Sequence, residues 1–195
     1  MALCVTILAG GASRRMGRDK ALLPWRGGTM VEAVLAVARQ AGAEEITISG
    51  SPERYGFLGF SCIPDRWPGC GPLGGIASVL AASAAPRQLM LGCDMPLVPP
   101  GLLRWLWNLA GPEGGWVVPA LEPGRFEPLC AIYDRALLPA VEAALAAGEF
   151  KIDRALAGAP RRTVGAAELA AAGFSAAAFR NLNQPDEYDA ARRSG

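Results

Sequence analysis

The chain has no histidine. That absence removes Ser-His and Cys-His nucleophile schemes and takes away the commonest zinc ligand. Five cysteines, Cys4, Cys62, Cys70, Cys93 and Cys130, are widely spaced with no Cys-x-x-Cys among them. Zinc and iron–sulfur sites therefore lack their usual ligand spacing, and buried free thiols are expected. No apolar run approaches the roughly 18 residues of a membrane helix. The first apolar run has no charged segment before it and is too short for a secretion signal, so a cytoplasmic protein is expected. Net charge is only +1, which gives no overall pull toward nucleic acid or an acidic membrane face. Lysine is scarce as well: Lys20 and Lys151 are the only ones among 19 Lys and Arg residues. Chemistry here must run on carboxylates, cations and backbone donors, with or without a metal.

What is present is an alternation of strand and helix patterns. Leu3–Ile7, Glu45–Ser49, Phe60–Ile63, Gln88–Cys93, Trp116–Leu121 and Leu129–Tyr133 read as strands. Thr29-Met-Val-Glu32 is a capping box followed by Val31, Val34, Leu35 and Ala38 at helical spacing, with Gly42 as its stop. Leu73–Ala82, a segment marked by Leu102, Trp105, Leu106 and Leu109, and one marked by Leu138, Val141 and Leu145 read as further helices. Asn183 is placed to cap a last helix containing Pro185, Asp186 and Glu187. The pattern predicts one α/β domain over residues 1–195, with a mainly parallel sheet covered by helices on both faces. The ligand crevice of such a sheet lies beyond the carboxyl ends of its strands.

Three segments fall at that edge. The first, Leu8-Ala-Gly-Gly-Ala-Ser-Arg-Arg-Met-Gly-Arg-Asp-Lys20, breaks from a strand into small residues and then into cations. Free backbone N–H groups there, beside Arg14, Arg15 and Lys20, would suit a triphosphate. A plain tight turn with solvated arginines is the alternative. Gly17 is separated from Lys20 by Arg18 and Asp19, so this is no Walker loop. The second segment holds Asp65 just past its strand, where a solvated loop acid is one reading. The third is Leu91-Gly-Cys-Asp-Met-Pro96, where Asp94 either takes Mg²⁺ with phosphate oxygens or caps a turn. Gly69-Cys-Gly-Pro-Leu-Gly74 matches a dinucleotide fingerprint, but it stands several residues past its strand and Pro72 removes a donor. A nicotinamide enzyme is therefore not expected.

The first segment resembles the signature Leu-Ala-Gly-Gly-x-Ser-x-Arg-Met-Gly-x-Asp-Lys of nucleotidyltransferases, above all the molybdenum cofactor guanylyltransferases. Asp94 stands where that family carries a metal-binding Asp in a Cys/Gly-Asp-x-Pro turn. Gly124–Tyr133, Ala147–Lys151 and Phe179–Glu187 are similar to the family's later segments. The resemblance implies a three-layer, Rossmann-like nucleotidyltransferase fold, its first part binding nucleotide and its later part binding the acceptor. It implies Mg²⁺-dependent transfer of GMP from GTP to the phosphate of molybdenum-carrying molybdopterin, releasing pyrophosphate. Arg15, Lys20 and Asp94 would be catalytic, with the metal on Asp94. Leu8, Ala9, Gly10, Gly11, Lys20, Ser49, Asp65 and Asp94 would bind the nucleotide. Ser49 stands where the family tends to have Asn, which weakens a base or ribose contact there. GTP and molybdopterin are the implied partners of a monomer, with other molybdenum cofactor biosynthesis proteins and neither nucleic acid nor membrane. Cytidylyl, sugar-phosphate and cobinamide transferases share the phosphate chemistry and stay open, as does a non-catalytic nucleotide-binding protein.

Overall fold

A computed structural model describes residues 2–10, 19–180 and 182. In chain order the elements are β1 (Cys4–Leu8), a 3-10 turn at Lys20–Leu22, β2 (Pro24–Trp25), β3 (Gly28–Thr29), α1 (Met30–Gln40), β4 (Glu45–Ser49), α2 (Pro52–Tyr55) and β5 (Ser61–Ile63). They continue as α3 (Gly71–Ala82), β6 (Arg87–Gly92), α4 (Pro100–Leu109), β7 (Trp116–Glu122), β8 (Arg125–Phe126) and β9 (Cys130–Asp134). The remainder is α5 (Leu138–Ala146), α6 (Ile152–Ala155), β10 (Arg161–Gly165) and α7 (Ala166–Ala171). The expected last helix at 183–187 lies outside the described residues.

One sheet runs in the order β10-β7-β9-β6-β1-β4-β5, with β8 added beside β7. All neighbours on that path are parallel except at β9, which is antiparallel to both β6 and β7. Side chains alternate between two apolar clusters, as a strand period of two requires. Val5, Ile7, Leu89, Leu91, Val117 and Ile132 face α1, α4 and α7. Met90, Trp116, Val118, Ala131 and Tyr133 face α3, α5 and α6. Thr6 and Gln88, polar and buried, bond to each other across β1 and β6 at 3.1 Å, and Gln88 Nε2 donates to Ser83 Oγ at 2.7 Å. The result is the expected three-layer fold.

Local chemistry fixes the entry to α1. Glu32 N–H donates to Thr29 Oγ1, while Thr29 N–H donates to Glu32 Oε2 at 2.8 Å, so both halves of the capping box form. Ahead of it, β2 and β3 make a hairpin absent from the sequence pattern, its turn carrying positive φ at Arg26 (42°) and Gly27 (86°). Leu23, Trp25 and Met30 form a small apolar cluster there with Leu182. Among the described residues no helix is long and apolar enough to cross a membrane. All five cysteines are free thiols.

Candidate active site

Register brings the carboxyl ends of the parallel strands level. Leu8 pairs with Ser49 on one side and with Gly92 on the other, and Ser49 pairs with Ile63. Everything the sequence places just past a strand therefore emerges along one edge, where the crevice of a parallel sheet lies. A cleft of about 210 Å³ opens there, lined by Leu8, Ala9, Gly10, Lys20, Pro72, Cys93, Asp94 and Leu129 among others. Its wall thus combines the first loop, the start of α3 and the turn after β6.

Lys20 and Asp94 meet in it. Lys20 Nζ lies 2.7 Å from Asp94 Oδ2, and the two side chains are only 12% and 13% exposed. Each partner is held from behind. Asp19 caps the 3-10 turn that carries Lys20, its Oδ1 accepting from Ala21 N–H at 3.0 Å. Asp19 Oδ2 in turn lies 2.8 Å from the Tyr55 hydroxyl and 3.3 Å from Arg54 Nη1. The Tyr55 hydroxyl is also 3.0 Å from the Ala9 carbonyl oxygen. Burial first, and then the Asp19 carboxylate, holds the Tyr55 hydroxyl well above its ordinary pKa, so it stays a donor. On the other side, Cys93 N–H donates to the Leu8 carbonyl and Leu182 N–H donates to the Asp94 carbonyl. A methyl group at Gly92 would lie 2.7 Å from Asp94 Oδ1, so the carboxylate uses the space that glycine leaves. The Cys93 thiol is pushed up to about 12 by burial and then by the Asp94 charge, which rules out a thiolate nucleophile near neutral pH.

Two expectations need correction. Ala9 and Gly10 were to offer free N–H groups to an anion, but both donate to the Ser49 carbonyl, at 3.0 and 2.9 Å. These donors extend the β1–β4 ladder past its last pair, Leu8 and Ser49. Ser49 does not reach into the cleft as a polar contact: its side chain is buried at 1% exposure, and a methyl at Gly75 of α3 would come within 3.0 Å of its hydroxyl. Asp65 stands at the same sheet edge but lines no part of the Lys20–Asp94 cleft. Its Oδ1 accepts from Trp67 N–H at 2.9 Å and from Ser78 Oγ at 3.3 Å, tying the loop to α3. Gly11, Arg14 and Arg15 lie outside the described residues.

Sequence reasoning missed Asp19, Tyr55, Gly92 and Leu182 as the supports of this pair. An Asp one residue before a short helical turn is a cap signal that was there to be read; Tyr55 and Leu182 come from distant segments and carry no local sign. No cluster of three or more His, Cys, Asp or Glu side chains forms a metal cage among the described residues. A metal here would draw on Asp94, phosphate oxygens and water, the donor set that Mg²⁺ favours.

Residues 5–163 match the MobA-like NTP transferase domain family. The chain is 37% identical to the probable molybdenum cofactor guanylyltransferase of Deinococcus radiodurans, over 99% of this chain and 94% of that protein. It is 36% identical to the probable molybdenum cofactor guanylyltransferase of Pelotomaculum thermopropionicum, over 95% of this chain and 90% of that one. Among solved structures, the molybdopterin-guanine dinucleotide biosynthesis protein A from Archaeoglobus fulgidus superposes with a TM-score of 0.84 over 98% of both chains, at 24% identity.

Proposed function

The chain belongs to the MobA-like NTP transferase family and is a nucleotidyltransferase, and on that premise we propose that it transfers GMP from GTP to the phosphate of molybdenum-carrying molybdopterin. The observation that carries this reading is the shielded Lys20–Asp94 pair, set 2.7 Å apart in a cleft at the carboxyl edge of β1 and β6. A cation and a carboxylate side by side there suit a polyphosphate and its metal ion.

In the reaction, an oxygen of the acceptor phosphate forms a bond to the α-phosphorus of GTP. The bond from that phosphorus to the β-phosphate oxygen breaks, and pyrophosphate leaves. No protein nucleophile is needed; positioning and charge neutralisation suffice, which fits a chain without histidine. Asp94 would hold Mg²⁺, which would supply positive charge to neutralise the polyphosphate. Lys20 would stabilise charge gathering on the leaving pyrophosphate, with Arg15 assisting. The loop from Leu8 to Gly11 would border the triphosphate, with Ala9 and Gly10 shaping the wall rather than donating N–H groups. Asp65 would act through the oxygen not engaged by Trp67 and Ser78. Leu129 brings the later half of the chain to the cleft, which supports an acceptor side built from that half within a single domain over residues 1–195. The reading takes the protein as a monomer, and GTP as donor fits a place in the cytoplasm.

Pyrophosphate release with Mg²⁺, GTP and molybdopterin tests the proposal, with CTP run in parallel. Faster turnover and tighter binding with GTP are expected. A preference for CTP would remove guanine from the reading, and no release with either nucleotide would remove transfer.

A further inference from the structure

Resting on the reading of the cleft as a metal-nucleotide site, we infer that Lys20 occupies the metal's place in the nucleotide-free protein, so that the divalent cation enters with the nucleotide and not before it. Asp94 stands almost out of water, at 13% side-chain exposure. A carboxylate so shielded is unfavourable without a counter-charge. The Lys20 ammonium supplies that charge at 2.7 Å, the distance of a charge-assisted hydrogen bond.

The contact is built rather than incidental. Asp19 fixes the turn that presents Lys20. On the other side, the missing side chain at Gly92 leaves room for the Asp94 carboxylate, and the Leu182 N–H bond to the Asp94 carbonyl holds the backbone that carries it. The described residues add no cluster of further acids around Asp94 that would outcompete the ammonium for a metal. A divalent cation approaching Asp94 on its own therefore meets one carboxylate already neutralised, with a positive charge beside it. Phosphates change both terms together: they offer Lys20 new acceptors and offer the metal the oxygen ligands it lacks. Lys20 then passes from Asp94 to phosphate as the metal arrives. Nucleotide and metal must accordingly strengthen each other's binding, and by the same factor in either order.

Titration of Mn²⁺ into the nucleotide-free protein, followed by the electron paramagnetic resonance of free Mn²⁺, reads this without any turnover. Wild type is expected to bind Mn²⁺ weakly. Lys20→Met is expected to bind it at least about tenfold more tightly, within the range of ordinary coupling between sites. Lys20→Arg, which keeps the charge, should stay as weak as wild type and guards against a change caused by altered packing alone. GTP should strengthen Mn²⁺ binding more in wild type than in Lys20→Met. Equal Mn²⁺ affinity in wild type and Lys20→Met, with GTP still bound by wild type, overturns the inference and leaves the transferase reading intact. Failure of wild type to bind GTP at all overturns both.

Discussion

Arg87 opens β6 and Lys20 lies beside the turn that closes it, so one strand has a shielded cation at either end. Arg87 is 9% exposed, its Nη1 and Nη2 donating to the Ala110 and Gly111 carbonyls at 2.8 and 3.1 Å, its guanidinium 5.9 Å from the centre of the Trp107 ring. Those carbonyls lie just past the C-terminus of α4, where the negative end of the helix dipole favours a cation. They are neutral backbone groups and have nothing to exchange. Lys20 faces a carboxylate in an open cleft, a partner that a metal ion can take over. Burial of a positive charge does not by itself mark a site; the chemistry and the accessibility of its partner do.

The contrast can be broken most severely at the carboxyl end. Asp94→Ala and Lys20→Ala should each lose at least about 10²-fold in rate of pyrophosphate release, the scale for removing one electrostatic stabiliser. Near-normal turnover in purified Asp94→Ala would remove the metal assignment. Gly92→Ala sharpens the same end without touching a charge. The added methyl falls 2.7 Å from Asp94 Oδ1, and a displaced carboxylate should reduce the rate about tenfold while the protein stays folded. An unchanged rate would mean that the carboxylate position is not critical.

At the amino end the expected effect moves from rate to stability. Arg87→Met should lower the free energy of unfolding by about 2 kcal/mol, since hydrogen bonds to a charged group are lost from a buried position. Urea unfolding measures this, and turnover per folded molecule should be unchanged. A rate loss like that of Lys20→Ala would erase the difference between the two cations. The smallest effect concerns the buried thiols. Burial pushes Cys130 from its ordinary 9.0 up to about 12 and Cys4 up to about 11. The folded state thus keeps protons that the unfolded chain releases, so stability is whole below about pH 9 and declines as pH climbs through the folded values. Urea midpoints should fall from about pH 9 upward, and Cys130→Ala should flatten that fall. A midpoint rising over the same range would contradict it.

Much of this was legible where local chemistry is strong. The capping box at Thr29 and Glu32, the strand Glu45–Ser49 and the stop at Gly42 appear in the structure as read, because each rests on short-range hydrogen bonding or burial on both faces. The strand β10 was not read. Arg161-Arg-Thr begins it, and at a sheet edge charged side chains are tolerated and hide the apolar signal. The hairpin at Pro24–Thr29 has strands of two residues each, too short for any periodicity. In the site, Lys20 and Asp94 were readable from the edge they share. The Ala9 and Gly10 bonds to Ser49 and the Tyr55 support for Asp19 were not, since they join segments about 36 to 46 residues apart and depend on tertiary closure.

The most direct test is a crystal structure of the protein with GTP and Mg²⁺ bound. The metal is expected on the Asp94 carboxylate, with the Lys20 amine turned from Asp94 onto phosphate oxygens. A nucleotide seated away from this cleft, with the 2.7 Å contact between Lys20 and Asp94 unchanged, would contradict it.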